Sequence, residues 1–341
     1  MSKSIKTLNL ALQGGGAHGA LAWGIIDKLL EDGRIRFDSI SATSAGAMNA
    51  AVLAHGLVSG GREGAREALY NFWKMISDAG KQFSPVRLTP IEMLLGVDIE
   101  HSISHFVFDT MCHMLSPYEF NPFNVNPLRD ILEKCVDFER VQASKELKIF
   151  ISATNVRTCK IQVFENKTFT LDAVMASACL PYLFQSVEVE GEYYWDGGFM
   201  GNPALYPIFY NCDSKDILIL HINPICREKI PKTAAEILNR MNEISFNSSL
   251  MREMRVISFV NKLLDNNWIT DERKKTMKRL FMHAIRADVT MQSLSVASKM
   301  NAEWSFINDL HHRGRIESEE WLKNNFRLIG KQSSIDIEEY L

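Results

Sequence analysis

None of the six cysteines stands in a C-x-x-C arrangement, and positions 112, 135, 159, 179, 212 and 226 follow no paired spacing. No disulfide framework is expected; reduced, partly buried thiols of a cytosolic-type protein are. Histidine is no more promising for a metal. The only adjacent pair, His311-His312, lacks companion ligands and reads as a surface cap. An excess of basic charge is also missing: the net charge is −3, so no global field draws the chain to nucleic acid or anionic lipid. The longest stretch without Asp, Glu, Lys or Arg runs from Ser39 to Gly61. Its length would span a bilayer, yet it holds Ser, Thr, Asn, His and several Gly, which suits a buried strand and helix better. Met1 to Lys6 is polar and the apolar run behind it ends at Gln13, so no signal peptide is expected. The expected location is cytoplasmic, with any membrane contact peripheral. A protein exported by a dedicated machine would read the same way. There is no internal repeat and no low-complexity segment.

What is present is concentrated in two turns, each placed where a strand should give way to a helix. The first is Gly14-Gly15-Gly16-Ala17-His18-Gly19, after the apolar Leu8 to Leu12. The second is Ala42-Thr43-Ser44-Ala45-Gly46, after Phe37 to Ile40 and before the small-residue run Ala47 to Ala54. A plain tight turn is the simplest reading of the glycine run. Dinucleotide binding is the sharper competitor, because Gly14, Gly16 and Gly19 fit G-x-G-x-x-G. The helix behind them is well patterned: Ala22, Ile25, Ile26, Leu29 and Leu30 share one face, and Gly33 stops it. But a dinucleotide site needs an acid at the end of the next strand, and that strand runs into Ala42-Thr43-Ser44. Asp38 lies at the wrong end. Backbone N–H groups presented to an oxyanion are the better reading.

Ser44 stands out among nearby serines because it sits in strand, x-Ser-x-Gly, helix. Such an elbow forces the hydroxyl into the open above a helix N-terminus. A base is offered by Asp196 in Trp195-Asp196-Gly197-Gly198. The alternating Val187 to Tyr193 breaks at Glu190-Gly191, which predicts a hairpin with Asp196 at the end of its second strand. The two glycines after it would let a substrate approach. Serine, base and N–H donors together equip a site to cleave an ester through an acyl-enzyme.

Gly-Gly-Gly-x-x-Gly, x-x-Ser-x-Gly and Asp-Gly-Gly, in that order, resemble the patatin-like phospholipases, serine acyl hydrolases that use a Ser–Asp dyad. Ala176-Ser177-Ala178-Cys179-Leu180-Pro181-Tyr182-Leu183-Phe184 is similar to the family's segment ahead of its aspartate. The resemblance covers roughly residues 7 to 222. It implies that Ser44 is the nucleophile, Asp196 the base, and Gly14, Gly15 and Gly16 the oxyanion hole. It also implies a lipid or phospholipid substrate and a three-layer α/β/α hydrolase fold. Two positions depart from the family pattern: Ala42 replaces the first glycine of the elbow, and His18 stands where Arg or Lys is usual. The second bears on how much positive charge borders the oxyanion. No cofactor or metal is called for, since the N–H groups supply the electrophile. An acyltransferase or thioesterase on the same dyad, and a non-catalytic lipid-binding protein, are the competing functions. Histidine is not expected to be the base. His18 is the strongest challenger, but the positive end of a helix dipole disfavours its protonated form. His221 reads as a core histidine.

Residues 1–225 are expected to form the catalytic domain and 226–341 a helical C-terminal extension packed on it. From about 7 to 54 the pattern is βαβα. Residues 65 to 80 look helical, and strands return at Leu147 to Thr154, Ile161 to Phe164 and Ile217 to Ile222. Between Phe83 and Pro127 the texture changes: five of the ten prolines fall there, with Phe106, Phe108, Tyr118, Phe120, Phe123 and three methionines. An irregular loop packed on the core is the slightly favoured reading; a lid or acyl pocket is the other. In the last third, Leu250, Met254, Ile257, Val260 and Leu264 predict one helix face. Asp271 to Lys278 reads as a solvated helix face. Met291 to Leu310 and Glu317 to Asn325 read as separate helices broken at Gly314. Oligomeric state is not legible.

Overall fold

The computed structural model describes all residues except 1–4, 85, 87–88, 95–98, 100–101, 267, 270–276 and 287. Most of the charged run at 271–278 therefore lies outside the described residues. The strands are β1 (Lys6–Leu12), β2 (Ile35–Ala42), β3 (Lys148–Asn155), β4 (Ile161–Glu165), β5 (Val187–Val189), β6 (Glu192–Asp196), β7 (Asp216–His221) and β8 (Phe281–Arg286). They form one sheet in the order β5-β6-β3-β2-β1-β7-β8, with β4 also paired to β3. The centre, β3-β2-β1-β7-β8, is parallel, and β4, β5 and β6 make the antiparallel end.

The helices are α1 (Gly19–Asp32), α2 (Ala45–Phe83), α3 (Pro90–Leu94), α4 (Ile103–Met114), α5 (Pro117–Phe120), α6 (Pro127–Cys135), α7 (Phe138–Ala143), α8 (Leu171–Ser177), α9 (Tyr206–Asn211), α10 (Ala234–Asp265), α11 (Asp288–Gln292) and α12 (Trp304–Asn325). Alternation along the buried strands divides the core in two. Leu8, Leu10, Leu12, Leu218 and Leu220 face a layer containing α1, α2 and α12. Ala11, Phe150, Ile217, Ile219 and Met282 face α9, α10 and Tyr340. This is the expected three-layer α/β/α architecture, produced by the two-residue period of each strand.

Several local readings hold in detail. Gly33 caps α1 at φ 75°, and the β5–β6 turn places Glu190 at φ 53° and Gly191 at φ 81°, as a tight hairpin requires. Others need correction. The region after 226 is not wholly helical, because β8 adds the last parallel strand beside β7. Gly314 breaks nothing. It lies inside α12, where the absence of a side chain lets the Leu21 carbonyl of α1 approach; Gly24 of α1 similarly meets the His311 carbonyl. Two helices in backbone contact need glycine for closeness rather than for a stop. Between the end of α11 at Gln292 and Trp304 the chain is a turn and a short 3-10 segment, so α12 begins later than the pattern suggested. His311 is no surface cap: its ring packs on Trp23, centroids 3.8 Å apart, and Nε2 lies 3.3 Å from the Asp27 carboxylate. Nor is the described part of 83–127 an irregular loop packed on the core. It is largely helical, and α4 buries none of its residues.

Candidate active site

β1 and β2 are parallel neighbours, so both end at the same edge of the sheet, with Leu12 paired to Ala42. The glycine turn and the serine turn therefore emerge side by side. They touch. A Cβ placed on Gly14 would lie 2.6 Å from the Ser44 Cβ and 3.0 Å from the Thr43 carbonyl. Only glycine fits there. Ala42, by contrast, is the last residue of β2 and wholly buried, so its methyl group is ordinary core.

Ser44 adopts φ 56°, ψ −125°, a conformation that non-glycine residues avoid at a cost of about 1–3 kcal/mol. The surroundings hold it. Its N–H donates to Ser177 Oγ at 2.9 Å. The Thr43 hydroxyl donates to the Gly201 carbonyl at 2.6 Å, and Thr43 N–H to the Leu12 carbonyl at 3.3 Å. Gly46 presses the start of α2 against β1, since a Cβ there would meet the Leu12 carbonyl at 2.6 Å. Ser44 is thus the residue before a helix, with its hydroxyl not used as a cap.

Asp196 ends β6 and is fully buried. Its Oδ1 accepts the Gly198 N–H at 2.7 Å, its own N–H donates to the Cys179 carbonyl at 2.7 Å, and Thr154 Oγ1 donates to its carbonyl at 2.9 Å. Oδ2 has no hydrogen-bond partner. Burial pushes the carboxyl up to about 6, opposed by the Ser44 hydroxyl, the Gly198 N–H and the Lys299 charge. Ser44 therefore lies near enough to favour the carboxylate form. The two glycines after Asp196 are not left open for a substrate as expected. Gly197 packs on the Ser152 carbonyl, and a Cβ on Gly198 would lie 2.5 Å from the Phe246 ring.

The glycine turn is divided in its duties. Gly14 N–H is already given to Asn202 Oδ1 at 2.6 Å. Gly15 and Gly16 open a helical turn, Gly16–His18, whose first N–H groups have no intrahelical acceptor. His18 is buried, its Nε2 2.7 Å from Ser298 Oγ, and burial followed by the Lys299 charge lowers it to about 3. It is neutral at working pH. His221 is buried against Tyr340 OH at 2.8 Å, and His283 against Asp216 at 2.9 Å, both in the β7–β8 region.

Sequence reasoning missed a set of amides and one lysine around these turns. Gln13 Oε1 accepts the Ile222 and Asn223 N–H groups at 2.9 and 3.1 Å, and its Nε2 donates to Asn247 Oδ1 at 3.1 Å. Asn223 Nδ2 donates to the Gly14 carbonyl at 2.9 Å. Lys299 Nζ donates to Asn223 Oδ1 at 3.0 Å. Gln13, a polar residue closing an apolar strand, was the one local signal. The segment 176–184 was noticed without a role. It ties the site together, Ser177 holding Ser44 and the Cys179 carbonyl holding Asp196.

Strand-end turns of this kind, at the edge of a three-layer α/β/α sheet, lie where open α/β folds bind their ligands. The family description Patatin-like phospholipase matches residues 10–208, more than half of the sequence, and the chain belongs to that family. Its named activity is hydrolysis of lipids. No curated protein matches the sequence. Among solved structures, VipD from Legionella pneumophila is 14% identical, with 94% of this chain and 67% of that one covered and a TM-score of 0.43. The type III effector protein ExoU is 13% identical, with 94% and 53% covered and a TM-score of 0.35. Full-length ExoU of Pseudomonas aeruginosa in complex with SpcU is 16% identical, with 94% and 54% covered and a TM-score of 0.33. The chain thus spans about half the length of the ExoU structures it matches. At such identities neither protein says what this chain acts on. Among the described residues no helix is long and apolar enough to cross a membrane.

Proposed function

We propose that this protein hydrolyses fatty-acyl esters of phospholipids or related lipids, with Ser44 as nucleophile and Asp196 as general base. The observation that carries the reading is the contact of Gly14 with Ser44, which sets a strained serine beside a row of N–H groups and near a buried carboxylate. Ser44 Oγ attacks the ester carbonyl while its proton passes to Asp196. The carbonyl oxygen becomes an oxyanion held by backbone N–H groups. Gly15 and Gly16 supply these; Gly14, its N–H spent on Asn202, contributes the space. Asp196 then protonates the departing alcohol, and water releases the fatty acid from the acyl-enzyme by the same route in reverse. A carboxyl near 6 is a stronger base than an ordinary aspartate and is still ionised at neutral pH.

The described part of 83–127 suits the acyl chain or the lipid surface. Ile103, Phe106, Val107, Leu115 and Phe123 are exposed, and the segment is anchored beside the site. Gln185 Nε2 donates to the Asn121 carbonyl at 2.9 Å, and Tyr118 OH lies 2.9 Å from Ser186 Oγ. Both anchors follow directly on the Cys179 stretch that holds Asp196.

Fluorophosphonate labelling, mapped by peptide mass, tests the nucleophile, and fatty-acid release from phosphatidylcholine vesicles tests the substrate class. Label on Ser44 together with release that vanishes in Ser44→Ala is the expected result. An unlabelled Ser44 in the folded protein would sink the reading. Release matched by transfer to an added alcohol acceptor would turn it into an acyltransferase.

A further inference from the structure

We propose that the Lys299 ammonium, delivered by the C-terminal third of the chain, supplies the fixed positive charge on the oxyanion side of the site and positions the glycine turn. This rests on the Ser44 chemistry above.

The geometry links Lys299 to both turns. Gly16 sits at φ 57° against the Lys299 main-chain carbonyl, which occupies the space a side chain would need. The neighbouring Ser298 hydroxyl meets His18. One short turn, Ala297–Met300, therefore clamps two residues of the glycine turn from outside. The Lys299 ammonium points inward. It donates to Asn223 Oδ1 and to Asn242 Oδ1, both at 3.0 Å, and lies 5.1 Å from the centroid of the Phe246 ring. Asn223 in turn donates to the Gly14 carbonyl, and Phe246 backs Gly198 beside Asp196. Removing the ammonium would loosen the oxyanion side through Asn223 and the base side through Phe246.

The charge is also free to act at a distance. Its two hydrogen-bond acceptors are neutral amide oxygens. Glu243, the nearby carboxylate on α10, is bound by Arg227 and Arg240. His18, the one ionisable side chain of the glycine turn, is neutral. Among the described residues the charges acting on Lys299 are Glu243, itself held by Arg227 and Arg240, and Asp196 across the site. In a water-poor setting a cation held by neutral hydrogen-bond acceptors favours negative charge on a tetrahedral intermediate and on Asp196 alike. Burial lowers the ammonium to about 8, so this charge fades as pH rises through that value.

The test compares wild type, Lys299→Met and Lys299→Arg by fluorophosphonate labelling of Ser44, by kcat and KM on a short soluble ester from pH 6.5 to 9.5, and by thermal melting. Lys299→Met is expected to label and turn over about 10- to 100-fold more slowly at pH 7, with KM changed less than about threefold. Wild type is expected to lose kcat above pH 8. Lys299→Arg, which keeps its charge at every pH used, is expected to retain activity and lack that fall. A folded Lys299→Met that labels at the wild-type rate overturns the proposal, as does a wild-type kcat that stays flat to pH 9.5. If Lys299→Met fails to fold, the wild-type and Lys299→Arg profiles still decide. Wild type that does not label at Ser44 overturns the site itself, and this inference with it.

Discussion

Between β1 and the start of α2 most residues are buried, whereas α4, itself rich in apolar residues, buries none. In the first region apolar side chains fill both faces of a parallel sheet, and backbone groups at the strand ends are held by Ser177, Asn202, Asn223 and Gln13. In the second, α4 is capped by Ser102 and α5 by a Ser116–Glu119 box, yet Phe106 and Val107 of α4 and Tyr118 of α5 are exposed. Rigidity and apolar exposure have been allotted to different parts of the chain. A site that makes and breaks bonds needs over-determined geometry, because a strained serine persists only where its neighbours leave it no choice. A surface that receives flexible lipid tails needs apolar area and little precision.

Damage to the rigid region should be the most severe. Ser44→Ala and Asp196→Asn should each lower fatty-acid release by about a thousandfold or more while circular dichroism stays native. Nucleophile and base act as a unit, so the double variant should be no worse than either single one. Asp196→Asn should also stabilise the fold at neutral pH. The folded carboxyl sits near 6 against 3.8 unfolded, so the unfolded chain binds fewer protons between those values. Stability is therefore lost as pH rises from 3.8 through 6, and the burden is fully present above that. The upward shift converts to about 2–3 kcal/mol, visible as a higher melting temperature of Asp196→Asn at pH 7.5 that disappears near pH 4. Equal melting at both pH values would mean the buried carboxylate is better solvated than its surroundings suggest.

Gly14→Ala probes the contact between the two turns. The added methyl has Ser44 on one side and the Thr43 carbonyl on the other, neither of which can swing away. Turnover should fall by about a hundredfold or more, because the nucleophile is displaced relative to the N–H groups. Wild-type turnover in this variant would mean the elbow has slack that the packing does not show.

The histidines mark a milder level. Single changes to Gln at 18, 55, 221 and 283 should leave measurable turnover, with His18→Gln the most affected because it adjoins the glycine turn. One folded variant as inactive as Ser44→Ala would replace the dyad with a Ser–His pair. A pH profile alone does not separate these mechanisms, because burial of Asp196 moves its acid limb to about 6, within reach of an ordinary histidine.

Much of this was legible in the sequence, and what was not has a common cause. Turn chemistry is local: Gly33, Glu190-Gly191 and the strand-to-helix placement of Ser44 were readable because a few adjacent residues dictate their backbone angles. The three-layer fold was legible from the βαβα pattern of residues 7 to 54 together with the family resemblance. Asn202, Asn223 and Lys299 were not, since an isolated amide or lysine carries no signal until the fold brings its acceptor near; Lys299 and Asn223 are seventy-six positions apart. Gly314 was misread for the same reason. Its purpose lies on another helix, and within its own neighbourhood a glycine looks like a break. β8 gave only a short apolar run, which periodicity cannot separate from a buried helix turn.

The exposed region should respond least, and only to some substrates. Phe123 is 90% exposed and Phe106 72%, so replacing both with Ser removes almost no buried area. Melting should stay within about 1 °C, since surface changes away from caps and cores cost within about 0.5 kcal/mol. A short soluble ester needs only the dyad and the N–H groups, and its kcat/KM should be unchanged. A long-chain phospholipid in a vesicle must leave the bilayer or be reached within it. Loss of two aromatic contacts of about 1 kcal/mol each should lower that activity about five- to thirtyfold. Adding Phe120, which is half-buried, should lower melting as well. Equal losses on both substrates would mean that this segment shapes the site rather than receives the lipid. Unchanged vesicle activity would leave α4 and its neighbours as surface with no part in substrate handling.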